Sequence, residues 1–209
     1  MHYATMRTVT AVAAGLLIGS LSFGSTSAWA GATAEMLSNT CAGCHGTNGI
    51  SAGPGMPTIA GFPADHTKQV MQQFKNGERF STIMGRIAKG YSDEEIVAMA
   101  NFFAKQPWQN AVNNPNSKMA TAVDAKQAAA GQKLVKQCEK CHEENGRAQG
   151  EGVPRMAGQW LDYILVKMKD YKDASIKPPI PQEKKMAAQI EKLSLDELTS
   201  IAHFYASQK

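Results

Sequence analysis

The chain has 209 residues, a length that allows more than one small domain. Its 22 basic and 18 acidic side chains leave a formal charge of +4, which is too mild to indicate a nucleic-acid partner. The sequence contains four cysteines, so any thiol chemistry must use this small set.

The first 30 residues have the pattern of a secretory signal peptide. Arg7 precedes the apolar run AVAAGLLIGSLSF, and small residues then lead to the A-x-A site at residues 28–30. Because the apolar run is short for a bilayer, we expect cleavage after Ala30 rather than a retained anchor. No later stretch of sequence is apolar enough to span. The sequence therefore predicts a periplasmic protein without a membrane span after signal removal.

The four cysteines occur in two copies of one motif, CAGCH at residues 41–45 and CEKCH at residues 138–142. This pattern could hold a zinc ion, a redox disulfide or a covalent haem. Paired C-x-x-C zinc motifs usually lie closer than the 97 residues seen here, and a redox disulfide explains neither the histidines nor the duplication. We therefore predict two covalently bound haem c groups. The predicted thioether bonds come from Cys41, Cys44, Cys138 and Cys141.

The duplication extends well beyond the cysteines. With a shift of 97 residues, Leu37 aligns with Leu134 and Gly61 with Gly158. With a shift of 102, YSDEEIVAMANFFAKQ aligns with LSLDELTSIAHFYASQ, so the second copy has five extra residues, which we place around residues 177–182. An Asn- and Pro-rich segment between the copies is typical of a linker. The predicted domains are residues 31–106 (the first repeat) and 123–209 (the second repeat), and the predicted linker is residues 107–122.

Both repeats are predicted to be helical, because neither shows a sustained two-residue alternation. The stretch DAKQAAAGQKLVKQC has apolar residues at helical spacing and leads directly into the second C-x-x-C-H motif. The last helix of each repeat begins with an S-x-x-E capping box, at Ser92 and Ser194. Apolar stripes follow these caps. They consist of Ile96, Met99, Phe102 and Phe103 in the first repeat and Leu198, Ile201, Phe204 and Tyr205 in the second.

Each haem iron needs ligands on both faces, and His45 and His142 are the predicted proximal ligands. The other two histidines of the mature chain are His66 and His203. Neither recurs in the other repeat, which disfavours histidine as the second ligand of both irons.

Methionine is the alternative second ligand, and two methionine pairs recur between the repeats. Met71 and Met168 lie in amphipathic stretches, where methionine usually fills a core. Met84 and Met186 each lie eight residues before a capping serine, in a segment without clear periodicity. A loop there can fold over the open face of a haem. We predict Met84 and Met186 as the axial ligands, and the alternative is that Met71 and Met168 bind iron.

Prolines lie at a fixed distance from the ligand histidines. Pro57 and Pro154 each follow their histidine by twelve residues. Metal-bound histidines usually donate their second ring N–H to an acceptor, and the proline carbonyls are candidates for this role. The alternative is that these prolines only shape a turn.

Together these features resemble the class I cytochromes c, and within them the cytochrome subunit of flavocytochrome c sulfide dehydrogenase. The resemblance depends on AEMLSNTCAGCHGTNG, STIMGRIAKGYS, CEKCH, AGQW, EKKMA and FYASQ. It implies an all-α fold of two tandem class I cytochrome c-like domains, each around one covalent haem. It also implies the ligand set of Cys41, Cys44, His45, Met84, Cys138, Cys141, His142 and Met186.

The resemblance further implies an electron-transfer subunit that is not an enzyme on its own. Its partner would be a sulfide-oxidising flavoprotein subunit in a heterodimer, with FAD on that partner, and a downstream acceptor such as a small cytochrome c would take the electrons. The alternatives are a free-standing periplasmic two-haem carrier to a terminal oxidase or reductase, and a two-haem enzyme. Catalysis at haem iron generally needs an accessible coordination position, so two methionine-closed irons argue against the enzyme.

Overall fold

A computed structural model describes residues 31–114, 120–150, 152–173, 175–176 and 181–209. The chain separates into a unit of residues 1–31 and a compact unit of residues 32–209, and the description below concerns the second unit. Three predicted features lie outside the described residues, wholly or in part. They are the signal peptide (1–30), part of the linker (115–119) and most of the insertion (177–180).

Helices account for the regular structure of the described residues. The first repeat contains α1 (Ala34–Asn39), α2 (Ala42–His45), α3 (Ala64–Lys75), α4 (Met84–Ala88) and α5 (Asp93–Ala104). The second contains α6 (Ala125–Gln132), α7 (Glu143–Gly146), α8 (Leu161–Lys172), α9 (Pro181–Ile190) and α10 (Leu195–Ser207). Short 3-10 segments cover Thr47–Gly49, Ala111–Asn113 and Val135–Lys140. In the described part of the chain, no helix combines the length and apolar character needed to cross a bilayer.

The predicted capping boxes start the last helix of each repeat. The Ser92 N–H donates to the Glu95 carboxylate at 2.8 Å, and the Glu95 N–H donates back to the serine hydroxyl. Ser194 and Glu197 form the same reciprocal pair at the start of α10. Both pairs satisfy N–H groups that a helix start leaves without an intrahelical partner, and this local chemistry confirms the prediction.

The apolar stripes of α5 and α10 form the centre of each repeat. Most of their residues are buried, and Phe102 is partly buried against the same cluster. In the second repeat, α6 and α10 cross at a short distance beside the apolar cluster. A Cβ added to Gly131 would lie 2.0 Å from the Ser200 carbonyl oxygen, so the two backbones can meet only where residue 131 has no side chain.

The duplication predicted from sequence appears in the backbone hydrogen bonds. The Gly61 N–H donates to the Phe103 carbonyl at 2.9 Å, and the Gly158 N–H donates to the Tyr205 carbonyl at the same distance. Both bonds connect the loop after the C-x-x-C-H motif to the last helix. The two repeats therefore share one arrangement of motif, loop and closing helix.

Two local predictions differ from the structure. Cys138 lies on the 3-10 segment Val135–Lys140 and Cys141 follows it as the C-cap, whereas α6 already ends at Gln132. Met84 and Met186 lie on helices rather than loops: Met84 begins α4, and Met186 lies inside α9. Proline is well suited to the first helical turn, and α9 starts at Pro181. Partial packing of Met186 against the second core cluster adds tertiary support that sequence periodicity does not reveal.

Candidate haem-binding sites

His45 ends α2 with its ring buried, at 8% exposure. Its Nδ1 lies 2.9 Å from the Pro57 carbonyl oxygen. Because a carbonyl can only accept, Nδ1 must carry the ring proton, which leaves the Nε2 lone pair for a metal. The predicted role of Pro57 as acceptor is confirmed.

His142 is equally buried, at 5% exposure, but its Nδ1 finds no partner within hydrogen-bonding geometry. Burial lowers the pKa of both rings, while the nearby carbonyl of Pro57 or Pro154 acts in the opposite direction. Both rings are therefore kept in the neutral form that binds a metal. The Pro154 carbonyl is near His142, yet its contact with the ring is weaker than that of Pro57 with His45.

No disulfide joins any two of the four cysteines. Cys41 and Cys138 are partly buried, and Cys44 and Cys141 are exposed. Burial raises the pKa of the Cys41 and Cys138 thiols, which favours protonated thiols over thiolates. Among the described residues, no three His, Cys, Asp or Glu side chains converge as a metal cluster. A C-x-x-C pair beside a buried, neutral histidine fits covalent haem c in both repeats.

The recurring methionines fall into two environments. Met168 is fully buried in the second core cluster, and Met71 packs against the first. These positions agree with the interpretation of this pair as core residues. Met84 and Met186 are partly exposed on the helices that precede α5 and α10. Iron ligation by Met84 and Met186 remains a prediction.

The two remaining histidines behave as core residues. The Asp124 N–H donates to His203 Nδ1 at 3.1 Å, so the neutral ring carries its proton on Nε2. The ring of His66 packs edge-on against Phe62, with centroids 5.3 Å apart. Burial and the charge of Arg79 lower the pKa of His66 to about 4.

Polar side chains that connect the two repeats were missed by the sequence interpretation. The Gln159 amide forms two hydrogen bonds to the backbone of Thr58. An ion pair joins Arg79 to Glu183, with Nη1 and Oε1 3.1 Å apart. A signal for the first contact existed: the second repeat has AGQW where the first has AGFP, which puts an amide at a position that is otherwise apolar.

The first part of the predicted linker is packed rather than extended. The Ala111 N–H donates to the Gly158 carbonyl at 2.8 Å, and the Trp108 indole donates to the Asn110 side chain at 2.7 Å. The Arg155 guanidinium lies over the Trp108 ring, 4.9 Å from its centroid. These contacts fix residues 108–111 against the second repeat.

Comparison with known proteins extends these observations. The cytochrome c family model matches residues 31–107. The thiosulfate dehydrogenase electron acceptor of Thiomonas intermedia is 30% identical over 184 residues, which cover 83% of this chain and 79% of that protein. The cytochrome subunit of sulfide dehydrogenase from Chlorobaculum tepidum is 46% identical over 76 residues, which cover 36% and 68% of the two chains.

Among solved structures, reduced cytochrome c4 from Pseudomonas stutzeri superposes with a TM-score of 0.68 at 22% identity. The match covers 86% of this chain and 100% of that one. It confirms the predicted fold class of two tandem class I cytochrome c domains. The chain belongs to the cytochrome c family, as a di-haem electron-transfer protein with covalently bound haem c.

Proposed function

We propose that the two haems occupy domains at residues 31–106 and 123–209, joined by the linker 107–122. Thioethers from the two C-x-x-C pairs hold them, and the axial ligands are His45 with Met84 and His142 with Met186. Bound in this way, haem c supplies a one-electron couple. The chain's own residues orient the His45 imidazole, keep both imidazoles neutral and limit solvent access. If Met84 and Met186 close both irons, the bound haems would exchange electrons without binding a substrate at iron.

The proposed electron donor is a sulfide-oxidising flavoprotein subunit that carries FAD and forms a heterodimer with this chain. The support is the 46% identity to a cytochrome subunit of sulfide dehydrogenase. That match covers 36% of this chain, so it bears on one repeat more than on the whole protein. A small cytochrome c is the proposed downstream acceptor.

A second donor is favoured by a separate observation. The similarity to a thiosulfate dehydrogenase electron acceptor runs through both repeats, over 83% of this chain. In that case the donor is a thiosulfate-oxidising dehydrogenase. The two candidates share the same role for this chain, and they differ in the substrate whose electrons reach it.

Charged residues near the proposed methionine ligands suggest where a partner docks. Arg86 and Lys89 follow Met84 and are exposed, as are Lys184 and Lys185 just before Met186. Basic side chains at this position can steer an acidic partner toward the haem edges. The association rate of such a partner falls as salt is added, because ions screen exposed charges. A rate that does not respond to salt would contradict electrostatic docking.

The native protein tests the proposal directly. We would purify the untagged protein from the periplasm, record its optical spectrum and native mass, and sequence its N-terminus. A mature chain beginning at Gly31, a copurifying flavin-bearing subunit and haem reduction by sulfide are expected. Reduction only in the presence of thiosulfate and its dehydrogenase would support the second donor. A lone chain that neither compound reduces would favour the free-standing carrier to an oxidase or reductase.

A further inference from the structure

One peptide group of the first repeat connects His45 to the second repeat. The Pro57 carbonyl accepts from His45 Nδ1 at 2.9 Å. The N–H of the same peptide group belongs to Thr58, and it donates to Gln159 Oε1 at 3.0 Å. A continuous hydrogen-bond chain therefore runs from the imidazole through one amide to the side chain of Gln159, which is 101 residues after Thr58 in sequence.

The Gln159 amide is held in one orientation. Its Nε2 donates to the Thr58 carbonyl at 3.0 Å, and its Oε1 also accepts from the Trp160 N–H at 3.1 Å. Gln159 and Thr58 are each 2% exposed, so water does not compete for these bonds. Trp160 is buried against Gly53 of the first repeat, where an added Cβ would lie 2.7 Å from the indole.

The loop around the peptide group is fixed on its other side as well. The Ser51 hydroxyl donates to the Met56 carbonyl at 2.8 Å, and the Ser51 N–H donates to the Thr58 hydroxyl at 3.3 Å. The segment 56–58 thus has little freedom to turn its carbonyls elsewhere. This leaves the Pro57 carbonyl directed at the ring of His45.

From this geometry we propose that Gln159 is a positioning residue that lowers the reduction potential of the haem bound at His45. Hydrogen bonds in a chain polarise one another, so acceptance of the Thr58 N–H makes the Pro57 carbonyl a stronger acceptor. A stronger acceptor on Nδ1 makes the iron-bound imidazole more basic. A more basic ligand favours the ferric state over the ferrous state.

Among the described residues of the second repeat, this hydrogen-bond chain has no counterpart. The shift of 97 residues places Phe62 at the position of Gln159, and a phenyl ring cannot bond to a peptide group as an amide does. The Nδ1 of His142 has no partner at full hydrogen-bonding geometry. The hydrogen bonds of Gln159 therefore act on one haem and separate the two reduction potentials. They exist only while the two repeats are in contact.

The test is the substitution Gln159→Leu, with Gln149→Leu as a matched control. Gln149 also crosses to the first repeat, because its Nε2 donates to the Gly61 carbonyl at 3.4 Å, but it does not touch the peptide of residues 57–58. The inference rests on the proposed ligation by His45. Haem content of the unsubstituted protein is therefore measured first, and a first C-x-x-C-H motif without haem would refute that ligation rather than the role of Gln159.

With two haems bound, a redox titration resolves both potentials. Gln159→Leu should move the ferric-to-ferrous equilibrium of one haem about two- to tenfold toward ferrous, where tenfold corresponds to about 59 mV for one electron. In the reduced, nitrogen-15 histidine-labelled protein, the ring N–H resonance of His45 should shift while that of His142 does not. Gln149→Leu should leave both readouts unchanged. Equal movement of both potentials, no movement of either, or an unchanged His45 resonance would overturn the proposal.

Discussion

The ion pair between Arg79 and Glu183 makes a quantitative prediction about how the repeats are held together. Arg79 and Glu183 side chains are 16% and 6% exposed, and their atoms are 3.1 Å apart. At an effective dielectric constant of about 20, this separation corresponds to an attraction of about 5 kcal/mol. Removing both charges from water costs several kcal/mol per ion, which offsets most of that gain. The pair as a whole therefore adds little stability, while breaking it from one side is costly.

We expect Arg79→Met to lower the free energy of unfolding by about 3 kcal/mol at neutral pH, because it leaves a buried carboxylate without its partner. For a chain of this size the melting temperature falls by about 6–12 °C. The loss depends on pH. Burial already raises the pKa of Glu183, and Arg79 opposes that rise. In the variant the pKa rises further, so stability is retained at low pH and lost as pH rises through the folded-state value.

Urea unfolding of the haem-loaded protein, followed by circular dichroism at pH 5 and pH 8, measures both effects. Lys75→Met is the control, since Lys75 and Asp93 form an exposed pair 2.8 Å apart that should contribute less than about 1 kcal/mol. The double variant Arg79→Met with Glu183→Met should cost less than the single Arg79→Met. A single-variant loss below about 1 kcal/mol without pH dependence, or double-variant losses that simply add, would refute this reasoning.

Three further predictions concern the cores and the first haem. Gly131→Ala places a Cβ 2.0 Å from the Ser200 carbonyl oxygen and should cost about 3 kcal/mol in urea unfolding, more than the gain of about 1 kcal/mol in helix propensity. Because burial holds the pKa of His66 at about 4, stability should fall by about 3 kcal/mol as pH drops from about 6.5 to about 4, and His66→Gln should flatten this profile. Met84→Ala should lower the potential of one haem and let carbon monoxide bind to it when reduced, whereas Met71→Ala should lower stability without opening an iron.

Each of these three predictions has a result that would contradict it. A Cβ at Gly150 meets nothing within 4 Å, so Gly150→Ala should change stability by less than about 0.5 kcal/mol, and an equal loss in both glycine variants would contradict the crossing argument. A pH profile that persists in His66→Gln would assign the transition to another group. Carbon monoxide binding in Met71→Ala but not in Met84→Ala would exchange the roles of the two methionine pairs.

Local chemistry made much of this fold predictable. The capping serines lie three residues from their glutamates, and the stripes of α5 and α10 repeat at helical spacing, so both follow from a short stretch of sequence. The Pro57 carbonyl could be predicted because its spacing from the histidine recurs in both repeats. The internal alignment supplied a second observation for each of these features.

Contacts between distant segments could not be predicted in the same way. Gln159 meets Thr58 across 101 residues and departs from the repeat, so aligning the repeats conceals its role. The sequence around Met186 lacks a clear helical period. The helix there is supported by tertiary packing, which the sequence does not show. The difference between His45 and His142 depends on ring geometry, which two identical C-x-x-C-H motifs do not distinguish.

The central claim is that both C-x-x-C-H motifs carry covalent haem in the mature protein. It is tested most directly by assaying one sample of the native chain, unfolded in denaturant, for alkaline pyridine haemochrome and for thiols that react with Ellman's reagent. Two haems per chain and no reactive thiol are expected, because each cysteine is bound through a thioether. Four reactive thiols without covalent haem would contradict the account, and one haem with two reactive thiols would limit it to a single repeat.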